Sequence, residues 1–129
     1  MQRRFLVAGA IFGLLAVIIG AFATHGLRPL LEEASMTSFE TGVKYQMYHA
    51  LLLLVLGGGS LKLPKYGNAV FYLILFGILL FSGSIYLLAT NSLTSPDFTK
   101  IALLTPLGGS LLIIGWVILL LGFIKLKKK

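Results

Sequence analysis

A polar and aromatic run passes without a break into hydrocarbon between positions 37 and 54, where the chain reads TSFETGVKYQMYHALLLL. Thr37 and Glu40 stand three residues apart, which is the spacing of a capping box, so the pattern predicts a helix that begins at Ser38. Consecutive glycines starting at Gly57 end it. A helix of about 20 residues is about 30 Å long, the hydrocarbon thickness of a bilayer. The stretch therefore predicts a membrane-spanning helix over residues 38–57.

One face of this predicted helix is polar. Gly42, Gln46 and His49 fall at i, i+4 and i+7 and so lie on the same side. Because uninterrupted hydrocarbon begins only at Ala50, we expect these polar groups in one outer layer of the membrane. A polar face of this kind points at other helices, at water or at a ligand, and rarely at lipid.

The composition is that of an integral membrane protein. The chain has 129 residues, of which 57% are hydrophobic, and its mean hydropathy is +0.96. Cysteine is absent, which excludes disulfides, thiolate nucleophiles and cysteine metal sites. The net charge of +7 raises the question of nucleic acid, but no soluble folded element is expected to carry such an activity.

Three further apolar segments are predicted to cross the membrane, at residues 5–23, 68–91 and 101–123. Together with residues 38–57 they predict a single domain, residues 1–129, that folds as an all-α, antiparallel bundle of four transmembrane helices. Between the first two spans we expect a short exterior connector, with a possible surface helix starting at Pro29. Pro106 is expected to kink the last span one turn from its start.

Small residues recur along the spans at helical spacing, which is typical of surfaces where helices pack closely. Packing within the chain is a better interpretation than a dimer, because four spans already supply partners for such surfaces. The residues expected at helix contacts are Gly9, Gly13, Ala16, Gly20, Gly77, Gly108 and Gly115.

The distribution of basic residues predicts the orientation. Eight Lys and Arg fall on the side that holds both chain ends, and three fall on the other side together with all four acidic residues. Positive residues favour the cytoplasm, so both termini are expected there. The same basic residues are expected to meet anionic lipid headgroups.

Four ordered motifs carry a resemblance to a known family: GAFATHGL at 20–27, FETGVKYQMYHAL at 39–51, FSGSIYL at 81–87, and TPLGG at 105–109 with Gly115-Trp116. The chain resembles the small four-span membrane proteins of domain of unknown function 423, which are related to the eukaryotic transmembrane protein 256 family. The likeness covers nearly the whole chain. It implies the four-helix fold and a location in the bacterial inner membrane, and it implies no reaction.

The two histidines are the most reactive candidates. His25 follows the first span and His49 lies on the second, so they could meet to form a metal site or a proton relay with nearby glutamates. The favoured interpretation is structural: His49 bonds across helices and His25 caps the end of the first span. Neither a metal nor a cofactor is expected.

Aromatic and hydroxyl side chains offer two other sites. Tyr45, Tyr48 and Tyr86 could receive a lipid or quinone headgroup, although an aromatic belt is the more common role for such residues. Ser84 and Thr105 could continue a polar path from Gln46 and His49, although hydroxyls in spans commonly bond their own helix.

No nucleophile motif, phosphate loop or deep pair of carboxylates indicates an enzyme. The sequence therefore favours a non-catalytic structural or accessory protein of the cytoplasmic membrane. A small transporter or pore between the second, third and fourth helices is the alternative, and a lipid or quinone headgroup binder is a further one. Possible protein partners are a second copy of the chain or another membrane protein.

Overall fold

The computed structural model describes residues 2–59, 61, 66–94 and 97–126; for 98 and 99 it describes the backbone alone. Within this part of the chain the secondary structure is entirely helical. The four long helices are α1 (Arg3–Phe22), α2 (Glu33–Gly57), α3 (Gly67–Ala89) and α4 (Leu104–Ile124). A π-helical turn, Ala23–Leu27, extends α1, and short 3₁₀ turns at Asn91–Leu93 and Phe98–Ile101 lie between α3 and α4.

Successive helices run in opposite directions. The start of α1 meets the end of α2, where Phe5 lies beside Gly57, and Gly20 near the end of α1 lies beside Val43. Helices α2 and α3 are likewise antiparallel, as are α3 and α4. Extensive contacts join α1 with α2, α2 with α3 and α3 with α4. The chain thus folds as a series of antiparallel neighbours.

Two apolar clusters hold the helices together. The smaller one lies where α1 ends and α2 begins, and consists of Ala23, Leu27, Met36, Phe39 and Ala89. The larger one runs through the rest of the bundle and consists of Phe5, Phe12, Ala50, Leu53, Leu56, Val70, Phe71, Ile74, Ile78, Leu112 and Leu119.

Glycines allow the closest helix contacts. A Cβ built on Gly108 would lie 2.3 Å from the backbone nitrogen of Phe81, and one built on Gly9 would lie 2.8 Å from the carbonyl oxygen of Ala50. Backbone therefore packs directly on backbone at both places, as is typical of small-residue contacts between membrane helices. The other residues expected at helix contacts lie on the same surfaces: Gly13 near Ala50, Ala16 buried, Gly20 near Val43, Gly77 against Leu112, and Gly115 against Ile74.

Among the described residues, three stretches are long and apolar enough to cross a membrane: α1 with its π-helical extension (Arg3–Leu27), α3 and α4. Helix α2 is also long, at 25 residues, but its first half carries glutamate, lysine and hydroxyl side chains. Its membrane placement therefore depends on where those polar groups point.

The predicted start of α2 is wrong. The helix begins at Glu33, five residues before Ser38, and no side-chain hydrogen bond caps its first turn. Thr37 instead lies inside the helix, and its carbonyl oxygen accepts the hydroxyl of Thr41 at 3.1 Å. Burial of Met36 in the smaller apolar cluster gives the early extension its stabilisation, which a capping pattern alone does not reveal.

The possible surface helix at Pro29 is also absent. The first helix continues as the π-helical turn through Leu27, and residues 28–32 then form a turn that leads into α2. Leu27 is buried in the smaller cluster and Leu31 packs against it, so the connector folds back onto the bundle.

The expected kink at Pro106 rests on a wrong helix start. Because α4 begins at Leu104, Pro106 lies in its first turn, where a backbone N–H has no partner within the helix. Ser110 donates a hydrogen bond to the carbonyl of Pro106 at 2.8 Å.

Candidate functional site

The buried face of α2 gathers the polar groups inside the bundle. Gln46 and His49 retain only 4% and 5% of their accessible surface, and Gly42 is buried one turn earlier. The edge of the Tyr86 ring covers Gly42, where a Cβ would lie 2.8 Å from the ring carbon Cε1. The face predicted from the i, i+4, i+7 spacing therefore points at neighbouring helices.

Gln46 connects three helices. Its Nε2 donates to the carbonyl oxygen of Phe12 on α1 at 2.8 Å. Its Oε1 accepts the hydroxyl of Tyr86 on α3 at 2.7 Å. Because the amide uses both of its ends, the orientation of the side chain follows from the hydrogen bonds themselves.

His49 is bonded through both ring nitrogens. Nδ1 lies 2.7 Å from the carbonyl oxygen of Tyr45, one turn earlier, and a carbonyl only accepts, so Nδ1 carries the proton. Nε2 accepts the indole N–H of Trp116 on α4 at 3.0 Å, which requires a free lone pair. The two bonds together define a neutral imidazole with one tautomer. Protonation of Nε2 would make it a donor facing the indole N–H of Trp116, which is also a donor, and so would break the hydrogen bond to α4.

Hydroxyl groups extend the network across α3. Ser82 donates to the carbonyl oxygen of Gly42 at 2.7 Å, which joins α3 to α2. Ser84 bonds Thr105 and the carbonyl of Phe81, and the first of these bonds joins α3 to α4. With the bonds of Gln46 and His49, these links tie α2 to each of the other three helices and α3 to α4.

Gln46 and His49 lie near the middle of the bundle, whereas Ser84, Tyr86 and Thr105 lie toward the end that carries the acidic residues. Phe12 is close to the centre of Arg3–Leu27, and Trp116 is close to the centre of Leu104–Ile124. Gln46 and His49 bond these two residues, so their side chains lie away from the ends of the bundle. Their expected position in an outer layer of the membrane stays a prediction. The early start of α2 adds helix on the side of its polar half, so Gln46 lies next to the midpoint of Glu33–Gly57.

The two histidines do not come together. His25 is exposed on the π-helical turn, which packs against Phe39, whereas His49 lies ten residues further along α2. That separation is about 15 Å at 1.5 Å per residue. Within the described part of the chain, no three His, Asp or Glu side chains are grouped so as to hold a metal ion.

The three outer tyrosines take different positions. Tyr48 and Tyr45 are exposed, with ring centroids 5.7 Å apart, and Tyr45 also packs on Phe81 at 5.1 Å. Tyr86 turns inward to Gln46, so its hydroxyl is already engaged.

Sequence reasoning missed Trp116 as a partner of His49. It is the single tryptophan of the chain, it lies in the middle of an apolar helix, and 48% of its surface is exposed. An indole N–H in the middle of an apolar helix needs a hydrogen-bond acceptor, and this need was the one indication in the sequence that Trp116 has a polar partner. The choice of His49 as acceptor depends on how α2 and α4 approach each other, and spacing along one helix does not give that.

A cleft opens between α2, α3 and α4 at the end of the bundle that carries the acidic residues. Its volume is about 390 Å³, and Ser35, Ser38, Leu88, Ala102 and Thr105 are among its lining residues. On the other side of α2, Arg28 and Glu40 form an ion pair at 2.7 Å.

Comparison of the sequence with known proteins identifies its family. Residues 19–109, which include most of the polar network, match a family described as "Protein of unknown function (DUF423)". The chain belongs to the DUF423 family. The resemblance seen in the sequence motifs is thereby confirmed.

Similar proteins occur in distant bacteria. A "UPF0382 membrane protein" of Haemophilus influenzae is 38% identical over 127 residues, covering 98% of both chains. The "UPF0382 membrane protein YwdK" of Bacillus subtilis is 38% identical, covering 96% of this chain and 98% of the relative. The "UPF0382 inner membrane protein YgdD" of Escherichia coli is 36% identical, covering 100% and 96%.

No solved structure matches the chain significantly. With its three long apolar helices, this DUF423 chain is a helical membrane protein of a family whose function is unassigned.

Proposed function

We propose that the chain is a non-catalytic structural or accessory protein of the bacterial cytoplasmic membrane that crosses the bilayer four times with both termini in the cytoplasm. The observation that carries this proposal is the closed polar network of α2. Gln46 and His49 bond backbone or side chains of their own helix and of all three other helices through every polar atom they have. Groups that are fully bonded in this way stabilise a bundle and are poorly placed to bind a substrate.

The same network supports α2 as a fourth span. At 1.5 Å per residue its 25 residues extend about 37 Å, enough to cross a bilayer. Polar side chains are tolerated inside a membrane when they face other helices and are bonded there. Leu51 and Val55 on the opposite side of α2 are exposed and would face the acyl chains.

Charge supports the orientation. Arg3, Arg4 and Lys125 lie at the end of the bundle that holds both termini. The opposite half of the bundle carries Arg28 and Lys100 together with every acidic residue of the chain: Glu32, Glu33, Glu40 and Asp97. Lys44 lies near the middle of α2. Counted over the sequence, eight Lys and Arg belong to the side of both termini and three to the other side, and this excess favours the cytoplasm for the termini. The relative in Escherichia coli is named an inner membrane protein, which agrees with this location.

Cysteine labelling tests the topology directly, because the natural chain contains no cysteine. We would introduce single cysteines at exposed positions: Leu30→Cys in the connector before α2, Leu61→Cys after α2, and Lys125→Cys after α4. In intact spheroplasts a membrane-impermeant maleimide should label position 30 only. Positions 61 and 125 should react after permeabilisation. Labelling of position 61 from outside would show that α2 does not cross the membrane. Labelling of position 125 from outside would show that the C-terminus is not in the cytoplasm and would contradict the proposed orientation.

The small transporter or pore remains as a second candidate, and the cleft beside Thr105 favours it. This cleft reaches the level of the Ser84–Thr105 bond, from which a path would have to continue to His49. Single cysteines at Thr105 and at buried Ser82 distinguish the two functions. Reaction of Thr105→Cys alone with a small water-soluble methanethiosulfonate means a shallow cleft and the structural role. Reaction of both means a water-filled path and transport.

A further inference from the structure

None of the four acidic side chains of the chain lies near Arg4. This arginine lies in the first turn of α1, whereas Glu32, Glu33 and Asp97 belong to segments at the opposite end of the bundle. Glu40 lies seven residues from that end of α2, in the half of the helix away from Arg4. The two ends are about 35 Å apart along Arg3–Leu27 at 1.5 Å per residue. The aspartate and glutamate side chains are therefore too distant to pair with Arg4.

The guanidinium of Arg4 is nonetheless held in place. It donates to the side-chain oxygen of Asn68 at the start of α3. Its Cζ atom lies 4.8 Å from the ring centroid of Phe71, 5.6 Å from that of Phe5 and 5.9 Å from that of Tyr72. Its Nε is buried and has no hydrogen-bond partner among the described residues. An arginine fixed by aromatic rings and an amide presents its remaining N–H groups in a defined direction.

An apolar groove begins beside the same arginine. Ala69, Tyr72, Leu73 and Phe76 of α3 line it together with Leu111 of α4, and its volume is about 320 Å³. Tyr72 belongs to both features, because its ring contacts the Arg4 guanidinium on one side and stacks on Phe76, at 6.3 Å, along the groove. A fixed cation thus adjoins an apolar groove, with Tyr72 between them.

We propose that Arg4, Asn68 and the Tyr72–Phe76 groove form a binding site for one anionic phospholipid of the cytoplasmic leaflet, with its phosphate at Arg4 and an acyl chain along the groove. The charge of Arg4 selects an anionic headgroup, and the apolar lining selects a lipid over a free anion. This site deepens the proposed function by naming a ligand, and it rests on the four-span topology, which puts the Arg4 end at the cytoplasmic surface.

Titration of the full-length, delipidated protein in neutral detergent tests this site without depending on membrane sidedness. The lipids are dioleoylphosphatidylglycerol and dioleoylphosphatidylcholine, and native mass spectrometry counts the lipid retained per chain. Arg3→Gln is the matched control for Arg4→Gln, because it removes the same charge from an exposed neighbour. We expect one phosphatidylglycerol to bind in preference to phosphatidylcholine, with affinity about fivefold weaker in Arg4→Gln and unchanged in Arg3→Gln.

Other outcomes overturn the proposal. Equal retention of the two lipids, or equal losses in the two arginine variants, would mean nonspecific adsorption. Protection by inorganic phosphate at the same concentration, measured as the thermal shift, would mean an anion site without a lipid. If Arg4→Gln does not fold, Ala69→Phe decides, since it fills the groove and leaves Arg4 intact: reduced retention supports the site and unchanged retention refutes it. Failure here leaves the cysteine-labelling result unaffected, so the two proposals fail separately.

Discussion

The bond between Gln46 and Tyr86 should contribute measurably to stability, and a double-mutant cycle isolates its contribution. Gln46→Leu keeps the side-chain volume and removes two hydrogen bonds, one to the backbone of α1 and one to Tyr86. Tyr86→Phe removes only the second bond. Interhelical hydrogen bonds in membranes average about 0.6 kcal/mol and reach about 1.7 kcal/mol. We therefore expect Gln46→Leu to lower the free energy of unfolding by about 1–3 kcal/mol.

Tyr86→Phe should cost about 1–2 kcal/mol, because it also leaves the buried Oε1 of Gln46 without its donor. The double variant should be more stable than the sum of the two losses predicts, by a coupling of about 0.6–1.7 kcal/mol. Reversible unfolding by dodecyl sulfate in mixed micelles, followed by circular dichroism, measures all four proteins.

Tyr48→Phe is the control. Because Tyr48 is 56% exposed, this substitution should change the free energy of unfolding by less than about 0.5 kcal/mol. A coupling below about 0.3 kcal/mol, or a loss in Tyr48→Phe as large as in Tyr86→Phe, would refute the reasoning that the network holds the bundle.

Three further predictions follow from other contacts. Gly108→Ala should destabilise the protein by about 1–3 kcal/mol in the same unfolding assay, because its Cβ would meet the backbone of α3. Gly83→Ala should be neutral or slightly stabilising, because its Cβ would meet no atom of a neighbouring element within 4 Å. Equal effects of the two substitutions would mean that α3 and α4 do not pack as described. His49→Ala should lose about 2 kcal/mol and His25→Ala less than about 0.5 kcal/mol, and equal losses in thermal stability would contradict the burial of the first. In proteoliposomes, Trp116 fluorescence should be quenched most by lipids brominated deep in the acyl chain, and strongest quenching by headgroup-proximal bromines would place the network at the membrane surface.

The long apolar helices were predictable because their signal is local. Helices α1, α3 and α4 each hold a continuous apolar run long enough to cross a bilayer, and composition alone shows it. The buried face of α2 was predictable for a similar reason, since Gly42, Gln46 and His49 follow the helical period.

The errors arose where contacts distant in sequence decide the structure. The start of α2 depends on Met36 reaching a cluster formed by the end of α1, and Thr37 gave a local capping pattern that the fold does not use. Two hydrogen-bond partners of Gln46 and His49 were missed for the same reason. Their partners Phe12 and Trp116 lie 34 and 67 residues away in sequence, so only the arrangement of helices identifies them.

The polarity of α2 also has a consequence for biosynthesis, if this helix crosses the bilayer as proposed. Glu40 and Lys44 make it a weak substrate for lateral release from the translocon, since a charged residue near a helix centre costs about 2.5–3.5 kcal/mol on insertion scales. The carbonyl oxygen of Phe12 on α1, which accepts the hydrogen bond of Gln46, is available as soon as α2 is made. Ser82 and Tyr86, the partners on α3, emerge from the ribosome only later. The nascent α2 should therefore stay at the translocon until α3 arrives, and the two should enter the lipid together as a hairpin.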